Sequence, residues 1–235
     1  MDTTPPAHSE RREALQTMTE MVLNLVPVIG GAFAVALEQR LNAKVDRRRD
    51  EWLGELATGL EELRERFDGF DPDDLADNDT FVDAVMTATR IAARNSQREK
   101  LDALRNAVLN AAMPGAPDED DQHRFFTLID DLTPTHLRLL TLLSDPPGWF
   151  DRTGLERPQF AMSSNRTVLV QAGMPELAAK GDDMIKRFYG DLERWDLVSG
   201  GISGMMSGNA AFNVATNDYA ASFLAFITDP RATVA

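Results

Sequence analysis

The sequence predicts a mainly α-helical protein: a helical bundle with a long N-terminal helix, followed by a small winged-helix-like α+β C-terminal module. Three observations carry this. Apolar residues recur three and four apart along most of the 235 residues, which is the period of one helix face. Proline, glycine and acidic clusters separate most of those runs. The extended-looking pairs are few and late: Leu197-Val198 and Phe212-Asn213-Val214, on either side of Gly200, Gly201, Gly204 and Gly208. The expected organisation is a disordered tail over 1–9, a helical bundle over 10–116, and the winged-helix-like domain over 117–235.

The first helix should begin near Ser9 or Glu10, with Leu15, Met18, Val22 and Leu25 on one face. Pro27 is expected to interrupt it, because the ring removes a donor and clashes with the preceding turn. After Gly30-Gly31 a long helix carries Phe33, Leu37, Leu41 and Val45, then Arg47-Arg48-Arg49. Leu53, Leu56, Leu60, Leu63 and Phe67 follow at the 3, 4, 3, 4 spacing of a coiled-coil seam. Asp68 to Asp79 reads as an acidic loop with at most a short helical turn.

Asn78 or Asp79 should cap the next helix, with Val82, Val85, Ala88 and Ala92 as its apolar face and Ile91 beside it. Ser96-Gln97-Arg98-Glu99 has the pattern of a capping box. The helix after it shows Leu101, Leu104, Val108 and Ala112, and Pro114-Gly115-Ala116-Pro117 stops it. Asp118 to Asp121 put acid where the next helix dipole favours it, ahead of Phe125, Leu128, Ile129 and Leu132. Thr133-Pro134 is a cap followed by a proline at the first helical position. Leu137, Leu139, Leu140, Leu142 and Leu143 then predict a short buried helix, ended by Asp145-Pro146-Pro147-Gly148. Residues 149–180 suggest helical turns with an apolar patch at Val168, Leu169 and Val170. From Asp182 a helix shows Ile185, Phe188, Leu192 and Trp195. Thr216 can cap a final helix with Tyr219, Phe223, Phe226 and Ile227.

Composition narrows the function. With no cysteine the chain has no disulfide, which fits a reducing, cytoplasmic setting, and a structural zinc site is disfavoured. The net charge of −14 is spread over both halves, and neither is a basic domain, so nucleic acid is a poor partner. The helix from Asp182 holds Lys186, Arg187 and Arg194 against Asp182, Asp183, Asp191, Glu193 and Asp196, which is the wrong sign for reading a DNA groove. Asn165-Arg166-Thr167 matches a glycosylation sequon by chance.

No catalytic pattern emerges. His8 sits in the tail. His123 follows Glu119 by four residues and could share a helix face with it, which is one pair and too few ligands for a metal, and His136 has no carboxylate within four residues. Asp71-Pro72-Asp73-Asp74 and Asp77-Asn78-Asp79 lack the glycine and terminal glutamate of a calcium loop. Gly201-Ile202-Ser203-Gly204 is not a nucleophile elbow, and no glycine loop ends in Lys-Ser or Lys-Thr. The expectation is a non-enzymatic chain with no cofactor, no metal and no catalytic residue.

The succession from Glu99 to Ile227 resembles the Abi-alpha family of bacterial proteins. The matching pieces are Glu99-Lys100-Leu101-Asp102-Ala103-Leu104-Arg105-Asn106, Phe125 to Pro134, Leu137 to Pro146, Leu192 to Val198, and Tyr219 to Ile227. The resemblance covers just over half of the chain and rests on helix order and apolar positions. It implies a role in anti-phage defence by abortive infection and transfers no catalytic residue.

Together these readings predict an interaction or effector protein that forms a homo-oligomer through Leu53, Leu56, Leu60, Leu63 and Phe67. Its C-terminal module would engage a protein partner of unknown identity. The first alternative is a membrane-active effector that inserts the apolar 21–37 hairpin (Val22, Leu25, Val28, Ile29, Phe33 and Leu37) and sets Arg47-Arg48-Arg49 at the headgroups. The second is a winged-helix transcriptional regulator.

Overall fold

A computed structural model describes the backbone of residues 9–67, 72–160 and 163–232, and the side chains from residue 38 onward except 72–74. The described residues form ten α-helices and two two-residue strands. The expected tail lies outside the described residues, apart from Ser9, which opens the first helix. Contacts divide the chain into two compact units, Met1–Asp50 and Glu51–Ala235. The boundary expected at 116/117 falls inside the second unit.

α1 runs from Ser9 to Arg66 as one helix. The interruption expected at Pro27 is not there. Thus the 21–37 hairpin is replaced by continuous helix, and the side chains of Val22, Leu25, Val28, Ile29, Phe33 and Leu37 lie outside the described residues. Within Met1–Asp50, every described side chain from 38 to 50 is exposed except half-buried Arg48.

The Glu51–Ala235 unit begins with the last turns of α1. Trp52, Leu56 and Leu63 are buried there, and Gly59 lets α1 approach α3 (Arg98–Ala111) closely. A Cβ at Gly59 would meet Leu109 Cδ1 at 3.1 Å. The acidic loop contains one short 3-10 turn, Pro72–Asp77. α2 (Asp79–Arg94) starts where expected, with the Asn78 side chain accepting from Phe81 N. Its buried face is Phe81, Ala84, Ala88, Ile91 and Ala92, while Val82 points outward. The face is rotated because α2 packs against both α3 and α4 (Glu119–Asp131), which favours the small residues at 84 and 88.

The expected capping box before α3 does not form. Gln97 takes the cap position and makes no side-chain cap bond, which leaves Ser96 one residue too early. Asp118 caps α4 by accepting from Asp121 N at 2.9 Å. α5 (Pro134–Ser144) begins at Pro134 and buries Leu137, Leu139, Leu140, Leu142 and Leu143. Asp145-Pro146-Pro147-Gly148 ends α5 and also starts α6 (Pro146–Thr153), because the Asp145 carboxylate accepts from Gly148 N at 3.0 Å. α6 stops at Gly154, whose φ of +67° suits a residue without a Cβ.

In the later chain, α7 (Arg166–Gly173) is capped by Asn165, which gives the sequon asparagine a structural task. α8 (Pro175–Ala178) leads into α9 (Asp182–Arg194), where Tyr189 joins Ile185 and Leu192 in the core and Trp195 is largely outside it. Val198 and Thr216 form an antiparallel bridge, so the extended reading of Leu197-Val198 holds at Val198. Residues 209–212 form a 3-10 turn where a strand was expected over 212–214. The short strands are β1 (Ser163–Ser164) and β2 (Met206–Ser207), which pair antiparallel. α10 (Asp218–Ile227) is capped by Asn217 rather than Thr216. α10 lies against α3, and Phe125 of α4 stacks on Tyr219, Phe223 and Phe226 of α10 with ring centroids 5.4–5.7 Å apart. This packing joins the two expected domains into one core.

Candidate functional site

Two surfaces stand out once the buried residues are set aside. The first is the exposed stretch of α1. Leu41 is 54% exposed and Val45 is 42% exposed, one turn apart on the helix. Lys44 and Arg48 share their face, since positions 41, 44, 45 and 48 follow the i, i+3, i+4, i+7 rule. Neither Lys44 nor Arg48 has an ion-pair partner among the described residues, whereas Arg49 is tied to Asp46 at 3.6 Å and to Asp50 at 3.3 Å.

The second surface is a groove of about 220 Å³ between the N-terminal halves of α2 and α4. Thr80, Asp83, Ala84 and Thr87 come from one helix, and Glu119, Gln122, His123 and Phe126 from the other, each set at the same i, i+3, i+4, i+7 spacing. Asp120 adds a further carboxylate to the rim. The floor is apolar, with Ala84 and Phe126 buried. Asp83, Glu119 and Asp120 are exposed and have no ion-pair partner among the described residues. His123 and Glu119 share a face, as their spacing suggested. Among the described residues no three histidine or acidic side chains are gathered closely enough to hold a metal ion.

Charge separates the two units. Residues 1–50 carry seven basic and seven acidic side chains, and residues 51–235 carry 17 and 31. The entire net charge therefore resides in the second unit, although counting by halves hid this.

The expected self-association residues are placed differently from the seam reading. Leu56 and Leu63 are buried in the core of their own unit, and Leu60 and Phe67 pack against it. Only Leu53, at 37%, faces outward. The 3, 4 spacing recorded a real helix face, and most of that face packs into its own unit.

The histidine whose surroundings the sequence hid is His136. Its Nδ1 accepts the Thr133 backbone N–H at 3.1 Å, closing a capping box at the start of α5. That bond puts the neutral ring's proton on Nε2, which faces Asp191 Oδ2 of α9 at 3.4 Å. Thr133 Oγ1 lies 2.9 Å from Nδ1, so hydroxyl, imidazole and carboxylate line up. The backbone amide already engages the Nδ1 lone pair that would have to take a hydroxyl proton, and the ring is buried against Phe188. The arrangement works as a helix cap. Burial lowers the His136 pKa, with Asp191 opposing and Lys100 assisting. Lys100 is itself buried, donates to the Asp130 carbonyl at 2.5 Å, and has its pKa lowered mainly by desolvation.

Around the glycine loop, Tyr189 donates its hydroxyl to the Ser199 carbonyl at 3.2 Å and lies on the Gly200 carbonyl as well. Burial raises the Tyr189 pKa. Gly200 has φ +76°, and Arg166 lies against it. The hydroxyl therefore fastens the loop to α9. Among the described residues no helix is long and apolar enough to cross a membrane.

Comparison with known proteins gives no match to any family model, any curated sequence or any solved structure.

Proposed function

We propose that this chain is a non-enzymatic interaction protein that self-associates through the exposed stretch of α1. The observation that carries the reading is the outward placement of Leu41 and Val45 on a helix stretch whose other side chains are nearly all exposed. A helix draws most of its stability from burying an apolar face, so the outward pair Leu41 and Val45 calls for a partner. The proposal moves the contact from the buried seam to residues 41–48. The segment from α7 to the Val198–Thr216 bridge is read as a winged-helix-like module whose net-acidic α9 suits a protein partner better than DNA. The Abi-alpha resemblance supplies the setting of this proposal, bacterial anti-phage defence by abortive infection.

Light scattering on the full chain and on the Leu41→Ser/Val45→Ser variant tests the reading. A discrete oligomer that becomes a monomer in the variant is expected. A wild-type monomer across the accessible concentration range would overturn it. The apolar composition of residues 21–37 favours membrane contact as a second reading, and flotation with anionic vesicles checks it: co-flotation of a monomeric wild type would move the function to the bilayer.

A further inference from the structure

We infer that the acidic groove between α2 and α4 is the docking site for the exposed α1 face of a second copy of this chain, with Lys44 and Arg48 of that copy seated between Asp83, Glu119 and Asp120. This rests on the self-association reading and names the surface that receives the helix.

The first argument is complementarity. The donor face mixes two apolar residues, Leu41 and Val45, with two cations, Lys44 and Arg48, and neither cation has an ion-pair partner among the described residues. The receiving groove mixes the reverse: three carboxylates on the rim over the apolar floor of Ala84 and Phe126. A cavity of about 220 Å³ admits long side chains but not a helix, so α1 would lie across the rim and insert its cations.

The second argument is independent of the acidic cluster. Gln122 lines the groove and is only 5% exposed. Its Nε2 donates to the Pro117 carbonyl at 2.8 Å, which fixes the orientation of the amide. Its Oε1 is buried and accepts no hydrogen bond. Buried acceptors are nearly always paired, and this one belongs to a residue of the groove lining. Lysine and arginine bring donors only, matching both the carboxylates and this oxygen. The charge distribution also favours this arrangement. Residues 1–50 are balanced and residues 51–235 hold the whole excess of acid, so the stretch of α1 before Glu51 is the part of a second copy best able to approach that surface.

The contact joins different surfaces on the two copies, so it propagates head to tail and closes into a ring or extends. Charge reversal decides it. Lys44→Glu/Arg48→Glu and Asp83→Lys/Glu119→Lys change exposed residues apart from half-buried Arg48, and circular dichroism checks that both variants remain folded. Each is expected to weaken self-association on the order of tenfold or more by sedimentation. An equimolar mixture of the two should regain assembly, because each variant's reversed surface faces a complementary one. Assembly unchanged by the groove variant, or a mixture that stays dissociated, overturns the docking site. If Leu41→Ser/Val45→Ser still dissociates the oligomer in that case, self-association through α1 stands and only the groove is wrong. A monomeric wild type removes both.

Discussion

α1 offers the same kinds of residue at the same spacing in two stretches that meet different environments. In residues 51–66, Trp52, Leu56 and Leu63 are buried against the rest of their unit. In residues 38–50, Leu41 and Val45 keep about half of their surface in water. Periodicity identifies which side chains share a helix face. It carries no information about whether that face is covered by the same chain, by another copy or by nothing. The acids and bases around each stretch supply what periodicity leaves out: Glu55 and Glu62 reach Arg98, Arg105 and Arg231 within the folded unit, while Lys44 and Arg48 have no ion-pair partner among the described residues.

The sharpest break of this comparison is truncation on each side. Leu63→Ala removes a fully buried side chain and is expected to cost about 2–5 kcal/mol. Leu41→Ala, at low protein concentration, should stay within about 0.5 kcal/mol of the parent. Urea unfolding of both variants reads the difference. Equal midpoints would mean that the two stretches are not distinct.

Much of the helical order was legible. Asn78, Asp118 and Thr133-Pro134 mark helix starts by local chemistry, which needs only the neighbouring three residues. The misses share a different cause. Ser96 and Glu99 have the right types for a box, but α3 starts at Arg98 and takes the pair out of register. Pro27 has the right chemistry for a break, yet α1 continues through it. Phe212 looked like strand and entered a 3-10 turn. The candidate surfaces were least legible. Asp83 and Glu119 are 36 positions apart, and nothing short of the α2–α4 packing brings them together. Asp191 reaches His136 from 55 positions away. One signal could have helped: counting charge over residues 1–50 and 51–235 instead of by half separates a balanced segment from the acidic remainder.

The second break concerns how the far end of the chain is tied to the core. The amide of Asn110 donates to the carbonyls of Phe226 and Thr228 at 2.8 Å, and Asn106 donates to that of Ile227 at 3.0 Å. These are carbonyls at the end of α10, which no later helical turn can satisfy. Asn110→Ala should therefore cost about 1–3 kcal/mol, less than a core leucine but more than an exposed residue. Hydrogen exchange should show amide protection falling first in α10. Uniform loss across the unit would mean that α10 and α3 unfold together.

A smaller effect is expected at the double-purpose corner between α5 and α6. Asp145→Ala removes the cap on Gly148 and the pairing with Arg152, for about 1 kcal/mol. The Arg152 guanidinium, followed by the Gly148 amide, holds the Asp145 carboxyl below its ordinary 3.8. Its contribution is complete above that ordinary value and disappears as the pH falls through the lowered one. The wild type and Asp145→Ala should thus converge in stability in strong acid, and a gap that persists there would assign the effect to the backbone of the turn.

The smallest predicted effect lies at His136 and separates burial from charge pairing. Burial lowers its pKa more than the hydrogen bond and charge of Asp191 raise it, and Lys100 pushes the same way as burial. Protonation would also place a hydrogen on Nδ1, where the Thr133 N–H now donates, and so oppose the cap of α5. The unfolded chain takes up this proton near the ordinary value of 6.5, before the folded one does. The stabilisation is therefore full above that value and is lost as the pH falls toward the lowered folded pKa. His136→Gln keeps a side chain able to close a capping box but cannot titrate. Urea unfolding from about pH 8 to about pH 5 should show a shallower decline for the variant than for the wild type. Parallel curves would show that Asp191 offsets burial fully, and that His136 stays a cap at every pH in that range.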